Sequence, residues 1–186
     1  LEDARGEAKL LMASLEAEWG LTDLRIETSE LVKLQVALTS GDRGVTVAVF
    51  ESTQIIGVWS GLFDAPRGVA VDVGSTTVAA HLCDLATGDV LSSASVMNPQ
   101  IPFGEDLMSR VSYIMMHPEG AEAMSSAIQT ALSKLFAELT DQLGEPTDNI
   151  LEVSLVANPI MHHLVLGINP INLGGRLCLI YRILTI

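Results

Sequence analysis

The stretch Gly68-Val-Ala-Val-Asp72-Val-Gly74-Ser75-Thr76-Thr77-Val-Ala-Ala constrains this chain more than any other, because it passes from a β-branched apolar run into a polar turn and straight back. Val69 to Val73 reads as a buried strand, and Val78 to Leu82 resumes as a second after only four residues, so the polar segment must be a tight hairpin turn. Gly74 lets the backbone fold closely. Ser75, Thr76 and Thr77 can offer hydroxyl and amide donors to phosphate oxygens, and Asp72 at the strand end can hold a magnesium ion, usually through its water shell. An ordinary polar hairpin turn has the same composition, so the motif alone leaves both readings open.

A third strand is expected over Asp89 to Val96, joined to the second by Asp84-Leu-Ala-Thr87-Gly88-Asp89, whose composition suits a hairpin connection. Strand, phosphate turn, strand, hairpin, strand and helix resembles the opening of the actin, Hsp70 and sugar kinase type of ATPase domain. A narrower resemblance rests on an ordered series of motifs. The turn, Asp84-Leu-Ala-Thr87-Gly88, Asn98-Pro-Gln100, Gly104-Glu-Asp-Leu-Met-Ser-Arg110 and Met161-His-His-Leu-Val-Leu-Gly167 are similar to those of the reductive activators of corrinoid proteins. The match runs from about Asp23 to about Gly174.

That resemblance implies an α/β chain: an α+β middle domain at 1–62, then at 63–174 a partial ribonuclease-H-like, actin-like ATPase lobe with a mixed sheet flanked by helices. It implies a parent protein that uses ATP and Mg²⁺ to return Co(II) corrinoid to Co(I) for methyltransferases, with electrons from a 2Fe–2S ferredoxin domain. Uphill electron transfer then depends on nucleotide binding one arrangement of the lobes better than another. On this reading Gly74, Ser75, Thr76 and Thr77 bind phosphate and Asp72 holds Mg²⁺. Asn98, Gln100, Gly104, Glu105, Asp106, Arg110 and Asn158 become candidates for contact with the corrinoid protein or the second lobe. Glu105 and Asp106 also read as a simple helix start. Where the family carries Gly-Asn-Thr, this chain has Ala157-Asn158-Pro159, which weakens a nucleotide role for that turn.

The 186 residues, 48% of them hydrophobic, can build a packed core. A net charge of −13 argues against nucleic acid or an anionic membrane as partner. No apolar run approaches the roughly 20 residues that cross a bilayer, and no basic segment precedes an apolar one at the amino terminus, so a cytoplasmic protein is expected. Only two cysteines occur, Cys83 and Cys178, without Cys-x-x-Cys spacing. A 2Fe–2S cluster takes four protein ligands, so the ferredoxin cluster is not expected on this chain, and both cysteines read as small buried hydrophobes.

Along the chain, Asp3 to Trp19 places Leu11, Leu15 and Trp19 at helical spacing, and Ser29 is a candidate cap for a second helix through Leu38. Gly41 to Gly44 breaks it, and Val45 to Phe50 with Gln54 to Trp59 reads as a hairpin. A boundary is expected between Ser60 and Arg67. Two prolines exclude helix from Asn98 to Gly104, leaving a fixed loop. Leu107, Val111 and Ile114 then mark one helix, and Met124, Ile128, Leu132, Leu135, Leu139 and Leu143 a longer one opened by Pro118. Ile150 to Ala157 is a strand leading through Asn158-Pro159 into a helix ending near Leu166. His162 and His163, being adjacent, point about 100° apart on a helix and do not form a metal pair.

After Gly174 the sequence leaves the family pattern, and 175–186 reads as a truncation or frame error with an apolar, aggregation-prone tail. A lobe without its second half is expected to bind ATP weakly or not at all and to be inactive alone. Two other functions share these features: a small-molecule kinase lobe, which positions a γ-phosphate in the same way, and a non-enzymatic module for partner binding or homodimerisation.

Overall fold

A computed structural model describes residues 4–40, 44–173 and 184–185. The chain divides into two units, Leu1–Ala65 and Pro66–Ile186, with the division inside the Ser60 to Arg67 stretch.

In the first unit, helix α1 (Ala4–Trp19) is followed by the short strand β1 (Arg25–Ile26), helix α2 (Thr28–Thr39) and the hairpin of β2 (Val45–Phe50) and β3 (Gln54–Ser60). The sheet order is β1-β3-β2, with β1 parallel and β2 antiparallel to β3. Ala8, Leu24, Leu34, Ala37, Ile55 and Val58 form the core, with Leu11 and Leu15 packed at its edge. Trp19 departs from the expected stripe. It sits on the last turn of α1, just before Gly20 turns the chain at φ 68, and is 75% exposed. Ser29 is no cap either: α2 begins one residue earlier, behind an extended Glu27, so Ser29 lies inside the first turn.

The second unit holds a five-stranded sheet of order β6-β5-β4-β7-β8. Its strands are β4 (Arg67–Val73), β5 (Thr77–Asp84), β6 (Val90–Met97), β7 (Ile150–Ala157) and β8 (Leu184–Thr185). Strands β4 and β7 run parallel; the β4–β5, β5–β6 and β7–β8 pairs are antiparallel. Helices α3 (Leu107–Met116), α4 (Gly120–Asp141) and α5 (Pro159–Val165) complete it. The period-two alternation of β4 and β5 sends Val69, Val71, Val73, Val78, Ala80 and Leu82 to one face, where Ile128, Leu132, Leu135 and Leu139 of α4 cover them. Fully burying one such side chain contributes about 1.5–3 kcal/mol, so this layer fixes the register of both strands.

Three expectations need correction here. The Asn98 to Gly104 loop contains a single 3₁₀ turn at Ile101–Phe103, because Pro102 occupies an early position whose missing amide costs nothing. Helix α4 starts at Gly120 rather than Pro118, which lies in the preceding turn. Leu143 is exposed because α4 ends at Asp141, two residues before it, and the chain turns away through Gly144 at φ 67. The tail expectation at 175–186 lies outside the described residues except for the β8 pairing at Leu184 and Thr185, and Cys178 lies outside them as well.

Candidate functional site

The β4–β5 hairpin closes through the Gly74 amide, which donates to the Thr77 carbonyl at 3.0 Å. A side chain at Gly74 would place its Cβ 2.7 Å from that same oxygen, so the turn requires glycine for its close approach. The three carbonyls of the turn are all taken. Asn98 Nδ2 donates to Gly74 O at 2.7 Å, Arg110 Nη2 to Ser75 O, and the Asn98 amide to Thr76 O at 2.8 Å. In a trans peptide the C=O and the following N–H point opposite ways. Tying back the Gly74 and Ser75 carbonyls therefore turns the Ser75 and Thr76 amides outward.

Among the described residues, neither those two amides nor the hydroxyls of Ser75, Thr76 and Thr77 make a hydrogen bond within the chain. Asp72 lies two residues before Gly74 on the sheet face opposite α4 and is exposed between buried Val71 and Val73. Donors on a tight turn beside one open carboxylate suit a polyphosphate with a hydrated divalent cation. The turn also stands at the carboxyl end of β4, beside the carboxyl end of parallel β7, where Val73 pairs with Ala157.

Behind the turn, the residues expected to face a partner are instead buried. Asn98, Gln100 and Arg110 are 1%, 0% and 0% exposed, which excludes them as surface contacts of this unit. Asn98 Oδ1 accepts from the Gln100 amide at 2.9 Å, and Gln100 Nε2 donates to the Met124 carbonyl of α4 at 3.0 Å. Arg110 donates from Nε to Gly104 O at 2.9 Å and from Nη1 to Gln100 Oε1 at 3.3 Å and to the Met161 sulfur of α5 at 2.9 Å. One guanidinium thus joins the turn, the loop, α3 and α5.

Sequence pattern carried a signal for this. Arg110 falls on the apolar stripe of α3 between Leu107 and Ile114, so a packed α3 buries it.

The remaining candidates divide. Asp106 caps α3 by accepting from the Ser109 amide at 2.8 Å, while Ser109 Oγ accepts from the Asp106 amide at 3.1 Å, a reciprocal capping box. The Ser109 amide holds the Asp106 carboxyl below its usual range. Glu105 is exposed beside it. Gly104 is pressed against α3, and Asn158 Oδ1 caps α5 by accepting from the Met161 amide at 2.9 Å. The rings of His162 and His163 stand 6.5 Å apart at 61°.

The family model described as the RACo linker region matches residues 1–65, and that described as the RACo middle region matches residues 67–176. The segment read above as a middle domain is therefore the one matched by the linker model. The curated "Corrinoid activation enzyme RamQ" of Eubacterium limosum is 34% identical over 103 residues, 55% of this chain and 17% of the relative. A solved "Reductive activator for corrinoid,iron-sulfur protein" superposes with a TM-score of 0.75 at 29% identity, covering 92% of this chain and 27% of that one. The matched part of this chain therefore spans about a sixth to a quarter of the length of these relatives.

Proposed function

This chain belongs to the RACo family of corrinoid reductive activators, and from that premise we propose that its second unit grips the terminal phosphates of magnesium-bound ATP at the Asp72 to Thr77 turn. The Ser75 and Thr76 amides and the Ser75, Thr76 and Thr77 hydroxyls hold phosphate oxygens. Asp72 holds Mg²⁺ through coordinated water. The bound nucleotide supplies a preference between two lobe arrangements, and this difference in binding energy limits what it can drive.

The step so driven is the return of Co(II) corrinoid to Co(I), in which cobalt gains one electron from a 2Fe–2S centre outside this chain. The partner is a corrinoid protein of a methyltransferase system. The observation that carries the nucleotide reading is the outward set of free donors on a turn whose carbonyls are all engaged from behind. An ordinary polar turn has no need of two buried side chains and a buried residue's amide to hold it.

Titrating Mg-ATP into the isotopically labelled 186-residue chain tests the reading by NMR. Amide shifts are expected at Ser75 to Thr77, weak but saturable, and reduced at least tenfold in affinity without Mg²⁺ or in Asp72→Ala. Shifts centred on other residues, or unchanged by Asp72→Ala, would remove this turn from the function.

A further inference from the structure

Among the described residues, Arg110 is the largest fully buried side chain, yet no carboxylate of those residues forms an ion pair with it. Its bonds go to two carbonyls, an amide oxygen and a thioether. All of these are neutral. A buried guanidinium remains protonated, and a buried charge without an opposite charge is costly. Burial lowers its pKa, and the capping carboxylate of Asp106 opposes that shift from a distance.

Resting on the nucleotide reading above, we infer that Arg110 is the counter-charge of the phosphate turn, a positioning residue whose missing anion is the bound polyphosphate. The guanidinium lies one peptide group behind the Thr76 amide. Its bond to the Ser75 carbonyl orients that peptide and polarises it, which strengthens the outward N–H as a donor. Gln100 and Met161 hold the guanidinium plane, and the Gly104 carbonyl fixes its Nε. The positive charge is thus delivered to the ligand through the backbone, leaving the turn surface to small side chains. Lysine keeps the charge but lacks the planar fork.

The test compares inorganic tripolyphosphate, Mg-ATP and adenosine on the wild-type 186-residue chain and on Arg110→Lys and Arg110→Met. Tripolyphosphate affinity is expected to fall at least tenfold in Arg110→Met and two- to fivefold in Arg110→Lys, with adenosine binding equal in all three. Arg110→Met within twofold of wild type overturns the inference, as does Arg110→Lys binding no better than Arg110→Met.

A second measurement stands if the variants misfold. In the wild-type chain the Arg110 Nε–H resonance, sheltered by Gly104 O, shifts on adding tripolyphosphate and not on adding adenosine. No shift at saturating tripolyphosphate counts against Arg110 alone. Failure of the wild-type chain to bind either polyphosphate counts against the nucleotide reading itself.

Discussion

At Gly104 the backbone lies so close to α3 that a Cβ would meet Ser109 Oγ at 2.6 Å and the Arg110 amide nitrogen at 2.7 Å. Its φ of 162 is extended backbone open to any residue, so the requirement is space rather than conformation. Gly104→Ala is expected to destabilise the second unit by about 2 kcal/mol through overpacking, shifting α3 and loosening the carbonyl that holds Arg110. Thermal denaturation measures the loss, and an unchanged midpoint would mean that α3 yields freely. Legibility at this scale was uneven for a physical reason. The β4–β5 hairpin itself could be read because a glycine and three hydroxyl residues stand between two β-branched apolar runs. The direction of Asn98 and Gln100 could not, because polar side chains in a loop bury themselves only when partners from distant segments converge on them, whereas the burial of Arg110 was signalled by its place on the apolar stripe of α3.

Among the elements, the β2–β3 hairpin carries its strain in plain view. Its turn places Glu51 at φ 46 and Ser52 at φ 58, with the Thr53 amide donating to Phe50 O at 3.0 Å, the arrangement that usually recruits asparagine and glycine. Ser52→Gly should therefore stabilise the first unit by about 0.5–1 kcal/mol, and urea unfolding is the measurement; a loss of stability would contradict the turn assignment. Strands β4, β5 and β7 were legible because their β-branched runs are long and alternate cleanly. The helix starts were less so. Helix α2 begins without a side-chain cap, and Pro118 resembles a first-turn proline while lying in the turn ahead of α4.

Within the second unit, one ion cluster ties the start of the sheet to the segment after α4. Arg67 reaches Asp84 at 2.7 Å and grips Glu145 with a two-pronged contact at 2.9 and 2.7 Å. The amides of Ala86 and Thr87, with Arg67 contributing, hold the Asp84 carboxyl below its ordinary 3.8, and the Arg67 fork holds Glu145 below its ordinary 4.5. Folded values below unfolded ones mean stability that is fully present above the ordinary carboxylate range and lost as pH falls through the depressed values. Acid should therefore weaken the unit progressively as pH falls below the ordinary carboxylate values, and Arg67→Met should reduce that dependence through Glu145 while costing about 2 kcal/mol near neutrality. Equal acid sensitivity in the variant would mean that other carboxylates govern it.

For the whole molecule, the division into two units followed from the interruption by Gly61, Asp64 and Pro66, and the family from the order of motifs along the chain. The central claim, that the Asp72 to Thr77 turn takes the terminal phosphates of a nucleotide, is tested most directly by replacing Mg²⁺ with paramagnetic Mn²⁺ in bound ATP and recording which amides broaden. Broadening centred on Asp72, Ser75 and Thr76 is the predicted result; broadening centred elsewhere, with these signals left sharp, would contradict it.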